Sequence, residues 1–185
     1  SVITIDPHLH RIKNLTEAIP NKAAITLHAN HAISAFLQQK FTQPIIIGPD
    51  EESEQWVKAI ATPHQWQYTI ATKQRFSDTK VDVSFSESDL NTNTALNLTG
   101  HDIIIVDDIA STGKTLEQAV IQIKQQNPKS ISVIVTHAFF VDSAIENLTR
   151  LGVNNIWSSD SIPHSSNAFS IIDTIATQLK IDETS

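Results

Sequence analysis

An α/β fold, with a mostly parallel sheet flanked by helices, is what the sequence predicts, and three runs of residues carry that prediction. Ile45–Ile47, Ile103–Val106 and Ile131–Val135 are β-branched almost throughout. They are too apolar for strands with one wet face, so they read as strands buried on both faces. Helical periodicity follows each of them, over 51–61, 115–124 and 142–151, which is the alternation that builds a parallel sheet between helices.

The remaining elements fall into order around these runs. Val2 to Ile5 form a first strand, ended by Asp6-Pro7-His8-Leu9-His10, where the proline locks an extended or turning backbone. If that segment stays extended, His8 and His10 share a side and suit a metal or a phosphate; two surface histidines is the plainer reading. From Lys22 to Lys40 a short strand-like lead passes into an amphipathic helix. His28 and His31 lie three apart on it, but with no acidic or cysteine ligand beside them a surface or helix-end role is expected. After the strand at 45–47, Gly48-Pro49-Asp50 breaks the chain, and Asp50 reads equally as a metal ligand or as the cap of the helix over 51–61.

A third strand is expected over 66–70, and then a polar stretch, Lys73 to Lys80, without an apolar period. It reads as a solvated loop of the kind that carries mobile catalytic groups. Val81, Val83 and Phe85 alternate, and 86–100 is polar and turn-rich. Pro128 closes the helix that starts at Thr115, Gly152 closes the helix over 142–151, a short strand follows over 153–157, and a last helix over about 170–180. The glycines at 48, 100, 113 and 152 all stand beside an expected element boundary.

The stretch from Ile103 to Thr115 carries the most chemistry. Its strand ends in Asp107 and Asp108, where open α/β sheets place ligands, and two carboxylates there can accept hydrogen bonds from a vicinal diol. Ala110, Ser111, Thr112, Gly113 and Lys114 form a small, hydroxylated and cationic loop before the helix opened by Thr115, so backbone N–H groups and the helix dipole can converge on a phosphate. A diol followed by a phosphate describes ribose 5-phosphate. Gly113-Lys114-Thr115 mimics the end of a nucleotide P-loop, but Asp108 stands where that motif needs its first glycine, and the P-loop reading is rejected. Helix capping alone would need one acid, not two after a buried strand.

Composition narrows the function classes. The 185 residues suit one domain or little more, with an ordinary core from 40% hydrophobic content. A net charge of −7 argues against nucleic acid as a partner. No apolar run reaches about 18 residues and no secretion signal is visible, so no membrane partner is expected and the cytoplasm is the default. Zero cysteines exclude disulfides and thiolate metal sites, and the absence of methionine suggests a processed chain or a fragment of a longer one.

The 103–115 stretch resembles the phosphoribosyl-diphosphate motif of the type I phosphoribosyltransferase fold, with Lys114 at a position commonly glycine. Taken in order, the chain resembles the later part of the ribose-phosphate diphosphokinase family: Asp6-Pro7-His8 its Asp-x-His segment, Gly48-Pro49-Asp50 its Pro-Asp segment, Lys73-Gln74-Arg75 its Lys-x-Arg loop, Asp107 to Thr115 its ribose-phosphate loop, and Asp160-Ser161-Ile162-Pro163 a further segment. The resemblance implies transfer of the diphosphoryl group of ATP to ribose 5-phosphate. Lys73 and Arg75 would be catalytic, while Asp107, Asp108, Ser111, Thr112, Gly113, Lys114 and Thr115 would bind the sugar phosphate. His8 and Asp50 would hold Mg²⁺. It also implies a linker over 1–20, a ribose-phosphate-binding domain over 21–185, an ATP-side domain absent from this chain, low activity of the chain alone, and a homo-oligomer when intact. Two rivals share the loop: a phosphoribosyltransferase that consumes phosphoribosyl diphosphate, and a non-catalytic regulatory homologue.

Overall fold

The three isoleucine-rich runs lie side by side, and the rest of the chain is layered against them. The computed structural model describes residues 1–9, 14–20, 23–77, 80–85 and 96–183. In chain order the elements are β1 (Val2–Ile5), α1 (Leu15–Ala18), β2 (Ala24–Leu27), α2 (Asn30–Gln38), β3 (Ile45–Gly48), α3 (Glu54–Ala61), β4 (Tyr68–Ser77), β5 (Lys80–Phe85), β6 (Asp102–Ala110), α4 (Lys114–Lys124), β7 (Ser130–Ala138), α5 (Ala144–Leu151), β8 (Asn155–Ser159), β9 (Asn167–Phe169) and α6 (Ile172–Glu183). A seven-stranded sheet has the order β5-β4-β3-β6-β7-β8-β9, and β1 and β2 form a separate parallel pair. Among the described residues, only the β4–β5 pairing within the large sheet is antiparallel.

Alternation along each buried strand divides the core. Ile45, Ile47, Ile103, Ile105, Val133 and Val135 point to the face covered by Leu116, Ala119, Val120 and Ile123 of α4 and Leu148 of α5. Ile46, Ile104, Val106 and Ile134 point the other way, against Ile33 and Leu37 of α2 and Val57 and Ile60 of α3. Both faces are covered, which is why these strands contain no alternation of apolar and polar residues. The chain leaves β3 toward β4 on one side, whereas β6 lies on the other side and its successors continue outward. The order therefore reverses between β3 and β6, and a crevice at the carboxyl ends of those strands is where such sheets bind ligands.

The expected fold class is the observed one, and three local expectations change. The solvated loop expected from Lys73 is a strand as far as Ser77: the backbone from Tyr68 to Ser77 continues as β4 and pairs antiparallel with β5, with Lys73 opposite Val83 and Arg75 opposite Val81. Pairing to the alternating Val81–Phe85 strand supplies the order that the polar residues alone do not signal. β6 does not stop at Val106 but runs to Ala110, because its ladder with β7 continues through Ala110 opposite Ala138. His28 is not on the helix; β2 ends at Leu27 and α2 begins at Asn30. The short α1 and β9 had no signal in the sequence, and His10 and residues 86–95 lie outside the described residues. Near the chain's end, Asp160 ties β9 to α6, donating its N–H to Phe169 O at 3.1 Å and accepting from Ile171 N–H at 3.0 Å. No helix among the described residues is long and apolar enough to cross a membrane.

Ile104 lies at the middle of this sandwich with no exposure, while Ile121 on α4 is 45% exposed. Ile104→Ala is expected to cost about 2–5 kcal/mol in urea denaturation, and Ile121→Ala to stay within about 0.5 kcal/mol of wild type.

Candidate functional site

At the switch point the strands run out from under their helices and polar side chains begin. After β3, Gly48 must be a glycine because a Cβ there would overlap Ser53 Oγ and press on Ile70 at 3.0 Å. Ser53 is fully buried and donates to the carbonyl of Asp50, so the tight turn fixes Asp50 at the crevice. The Asp50 carboxylate accepts from Glu52 N–H at 3.1 Å, which makes it the cap of a short 3₁₀ turn, Glu51–Ser53.

Asp107 and Asp108 leave the middle of β6 in opposite directions. Asp107 is half-buried and its Oδ1 accepts from Asp108 N–H at 3.0 Å. Burial, then the neighbouring Asp108 and Asp50 charges, push its carboxyl up to about 8. Asp108 is 3% exposed, and its Oδ2 meets His8 Nδ1 at 2.7 Å across 100 residues of sequence. Buried carboxylates require such partners.

The loop that follows has the form expected of an anion cradle. Gly113 takes a left-handed φ of 73° as the residue before α4, and no side chain caps that helix, so its first N–H groups point outward. Ser111 and Thr112 are exposed with their hydroxyls, as is Lys114 on the first turn. Ser111 O is pinned by Val141 N–H at 3.2 Å, which fixes the loop against the segment leaving β7.

A cleft of about 510 Å³ opens beside these groups, lined by Asp6, His8, His28, Glu52, Trp56 and Asp108 among others. It does not include the 111–115 loop. Asp50 lines a neighbouring hollow with Glu51, Glu52 and Ala71, so Glu52 is the wall shared by the two. The structure thus brings His8 to Asp108, and Asp50 within electrostatic reach of Asp107, with His8 on the cleft and Asp50 on the hollow across Glu52. Among the described residues no three His, Asp or Glu side chains converge closely enough to hold a metal by themselves. Lys73 and Arg75 stand on β4; their side chains lie outside the described residues.

Sequence reasoning missed several polar residues at this end of the sheet. Asp6 is 2% exposed and its carboxylate meets His28 Nδ1 at 2.8 Å, Ala29 N–H at 3.0 Å and Thr136 Oγ1 at 3.0 Å. His137 bonds Ile5 O and Ser161 Oγ. The available signal was that Thr136-His137 ends an otherwise buried apolar strand, as Asp107-Asp108 does.

The phosphoribosyl transferase domain family matches residues 16–172. A ribose-phosphate pyrophosphokinase of Pyrococcus abyssi (strain GE5 / Orsay) is 30% identical over 90% of this chain and 55% of its own length. The chain therefore spans about half the length of that relative. Phosphoribosylpyrophosphate synthetase from Mycobacterium smegmatis superposes with a TM-score of 0.76 at 16% identity, covering 99% of this chain and 59% of that one. An adenine phosphoribosyltransferase gives a TM-score of 0.53 at 15% identity over 70% and 76% of the two chains. At such identities these two structures speak for the fold.

The raised Asp107 carboxyl gives stability a pH dependence of known sign. A carboxyl whose pKa is lifted by folding stabilises the native state below its unfolded value of 3.8, and that contribution is lost as pH rises through about 8. Asp107→Asn, which mimics the protonated form, is expected to melt with wild type near pH 4 and several degrees above it at pH 9, read from thermal midpoints across that range.

Proposed function

This chain belongs to the phosphoribosyl transferase domain family, and from that premise we propose that it carries the ribose-phosphate site of a ribose-phosphate diphosphokinase. In that reaction the anomeric hydroxyl of ribose 5-phosphate attacks the β-phosphorus of ATP, the bond to the bridging oxygen breaks, AMP leaves, and the hydroxyl proton passes to solvent. One observation carries the reading. His8, from the segment preceding β2, is seated on Asp108, so the Asp-x-His segment and the ribose-phosphate loop meet at a single carboxylate beside the switch point.

The roles follow from what each group offers. Asp107 and the remaining acceptor capacity of Asp108 suit the ribose hydroxyls, and the uncapped start of α4 with Ser111, Thr112, Gly113, Lys114 and Thr115 suits the 5-phosphate. Lys73 and Arg75, carried on the β4–β5 hairpin, would stabilise charge on the transferred phosphoryl oxygens. Burial, together with the negative charge of Asp50 and Asp108, lifts the Asp107 carboxyl, and such an oxygen-rich acidic site fits a hard divalent cation. His8 and Asp50 would face Mg²⁺, which when bound offsets the charge of the polyphosphate. Residues 1–20 would link this unit to the ATP side in a cytoplasmic homo-oligomer, with 21–185 as the ribose-phosphate-binding domain.

Calorimetric titration with ribose 5-phosphate and Mg²⁺ tests the reading. Asp107→Ala/Asp108→Ala is expected to abolish binding seen in wild type, a loss of at least about 100-fold given hydrogen bonds to charged groups of roughly 1.5–3 kcal/mol each. Retained binding in the double variant would remove the sugar from this site. Diphosphate release on adding a nucleobase and phosphoribosyl diphosphate would instead support the base-transferring rival.

A further inference from the structure

The chain leaves β1 through an unusual turn. Asp6 has a φ of 38°, in the left-handed region that a non-glycine residue adopts at a cost and keeps only when its surroundings over-determine it. Four hydrogen bonds, three to consecutive residues after β2 begins and one to β7, do so here. Asp6 N–H donates to Leu27 O at 3.0 Å, and its carboxylate accepts from Ala29 N–H, Thr136 Oγ1 and His28 Nδ1. One residue earlier, Ile5 O accepts from His137 Nε2 at 3.0 Å, so that nitrogen carries the proton. The other ring nitrogen meets Ser161 Oγ at 2.9 Å, and Ser161 Oγ lies 3.0 Å from Thr136 O. The carboxyl end of β7 thus grips the two residues at which the chain turns, and His8 follows two positions later on Asp108.

We propose that Thr136 and His137 are positioning residues for His8: by holding Asp6 and Ile5 they maintain the left-handed turn that delivers the imidazole to Asp108 and to the cleft. The grip is polar and concentrated on one turn. β1 is already paired along its length with β2, from Val2 opposite Ala24 to Ile5 opposite Leu27, so the contacts from β7 add nothing to that ladder. What they add is the direction in which the chain departs. Thr136 is 1% exposed and Asp6 2%, so the bond between them is not shared with solvent, and losing the Thr136 donor leaves a buried carboxylate short of a partner. The consequence for cation affinity rests on the reading in which His8 faces the cation; the consequence for the His8–Asp108 bond does not.

Both consequences are measured on the full chain. Long-range ¹H–¹⁵N NMR of the imidazoles reports the His8 Nδ1 bond to Asp108 without any ligand, and Mn²⁺ binding followed by electron paramagnetic resonance reports the cation. Thr136→Val and His137→Leu are expected to shift the His8 signals and weaken Mn²⁺ about 10-fold, the usual scale for groups that orient a metal ligand. Thr136→Ser and His137→Gln, which keep a donor, are expected to stay within about twofold of wild type. Ile104→Val trims the core without removing any hydrogen bond at the turn and controls for a general loss of stability. If Thr136→Val and His137→Leu lower only the melting temperature, like Ile104→Val, and leave the His8 signals in place, the positioning role is overturned. If wild type binds no Mn²⁺ while the His8 signals respond as expected, the positioning role stands and the diphosphokinase reading loses its cation.

Discussion

A strand covered by helices on both faces has no room for polar side chains except where it emerges at its end. Most of the functional geometry here follows from that constraint. Ile45–Ile47 gives way to Gly48-Pro49-Asp50, Ile103–Val106 to Asp107-Asp108, and Ile131–Val135 to Thr136-His137. Because β3, β6 and β7 are neighbours in parallel register, their polar ends are brought to one edge of the sheet. The hydrophobic effect, which is non-directional, thereby concentrates the directional chemistry.

Carboxylates at that edge remain partly enclosed, and each is handled differently. Asp108 is satisfied by His8, Asp6 by donors from two segments, and Asp50 by the turn that it caps. Asp107 receives the N–H of its own neighbour, but burial and then two like charges push its carboxyl far upward. It is the group left with most to gain from a hydroxyl donor or a cation. Perturbation of this kind, joined to a specific geometry, is a mark of functional sites.

The sheet was legible in the sequence because its strands are extreme: β-branched runs bounded by glycine, proline and acids allow few other readings. The 107–115 segment was legible for the same reason, since its residues are contiguous. Lys73 to Ser77 misled, because a polar strand is ordered by its partner and carries no period of its own. The Asp6–His28 and Thr136–Asp6 bonds had no local signature at all, joining residues 22 and 130 positions apart. Surface roles were the plainer expectation for the histidines at 8 and 10 and at 28 and 31, whereas His8 and His28 meet buried aspartates.

Those long separations also bear on the order of folding. β3, β6, β7 and their helices can assemble through connections of modest length, but the turn at Asp6 and the seat of His8 also depend on contacts that close loops of 100 residues or more. Loop-closure entropy and topology place such contacts late in assembly. The same logic makes them the first to open: β1 and β2 form a two-stranded sheet apart from the large one, and two strands alone are marginal in water. Local opening there would unseat His8 while the isoleucine core stayed intact, so protection against amide exchange is expected to fall sharply between β6 and β1.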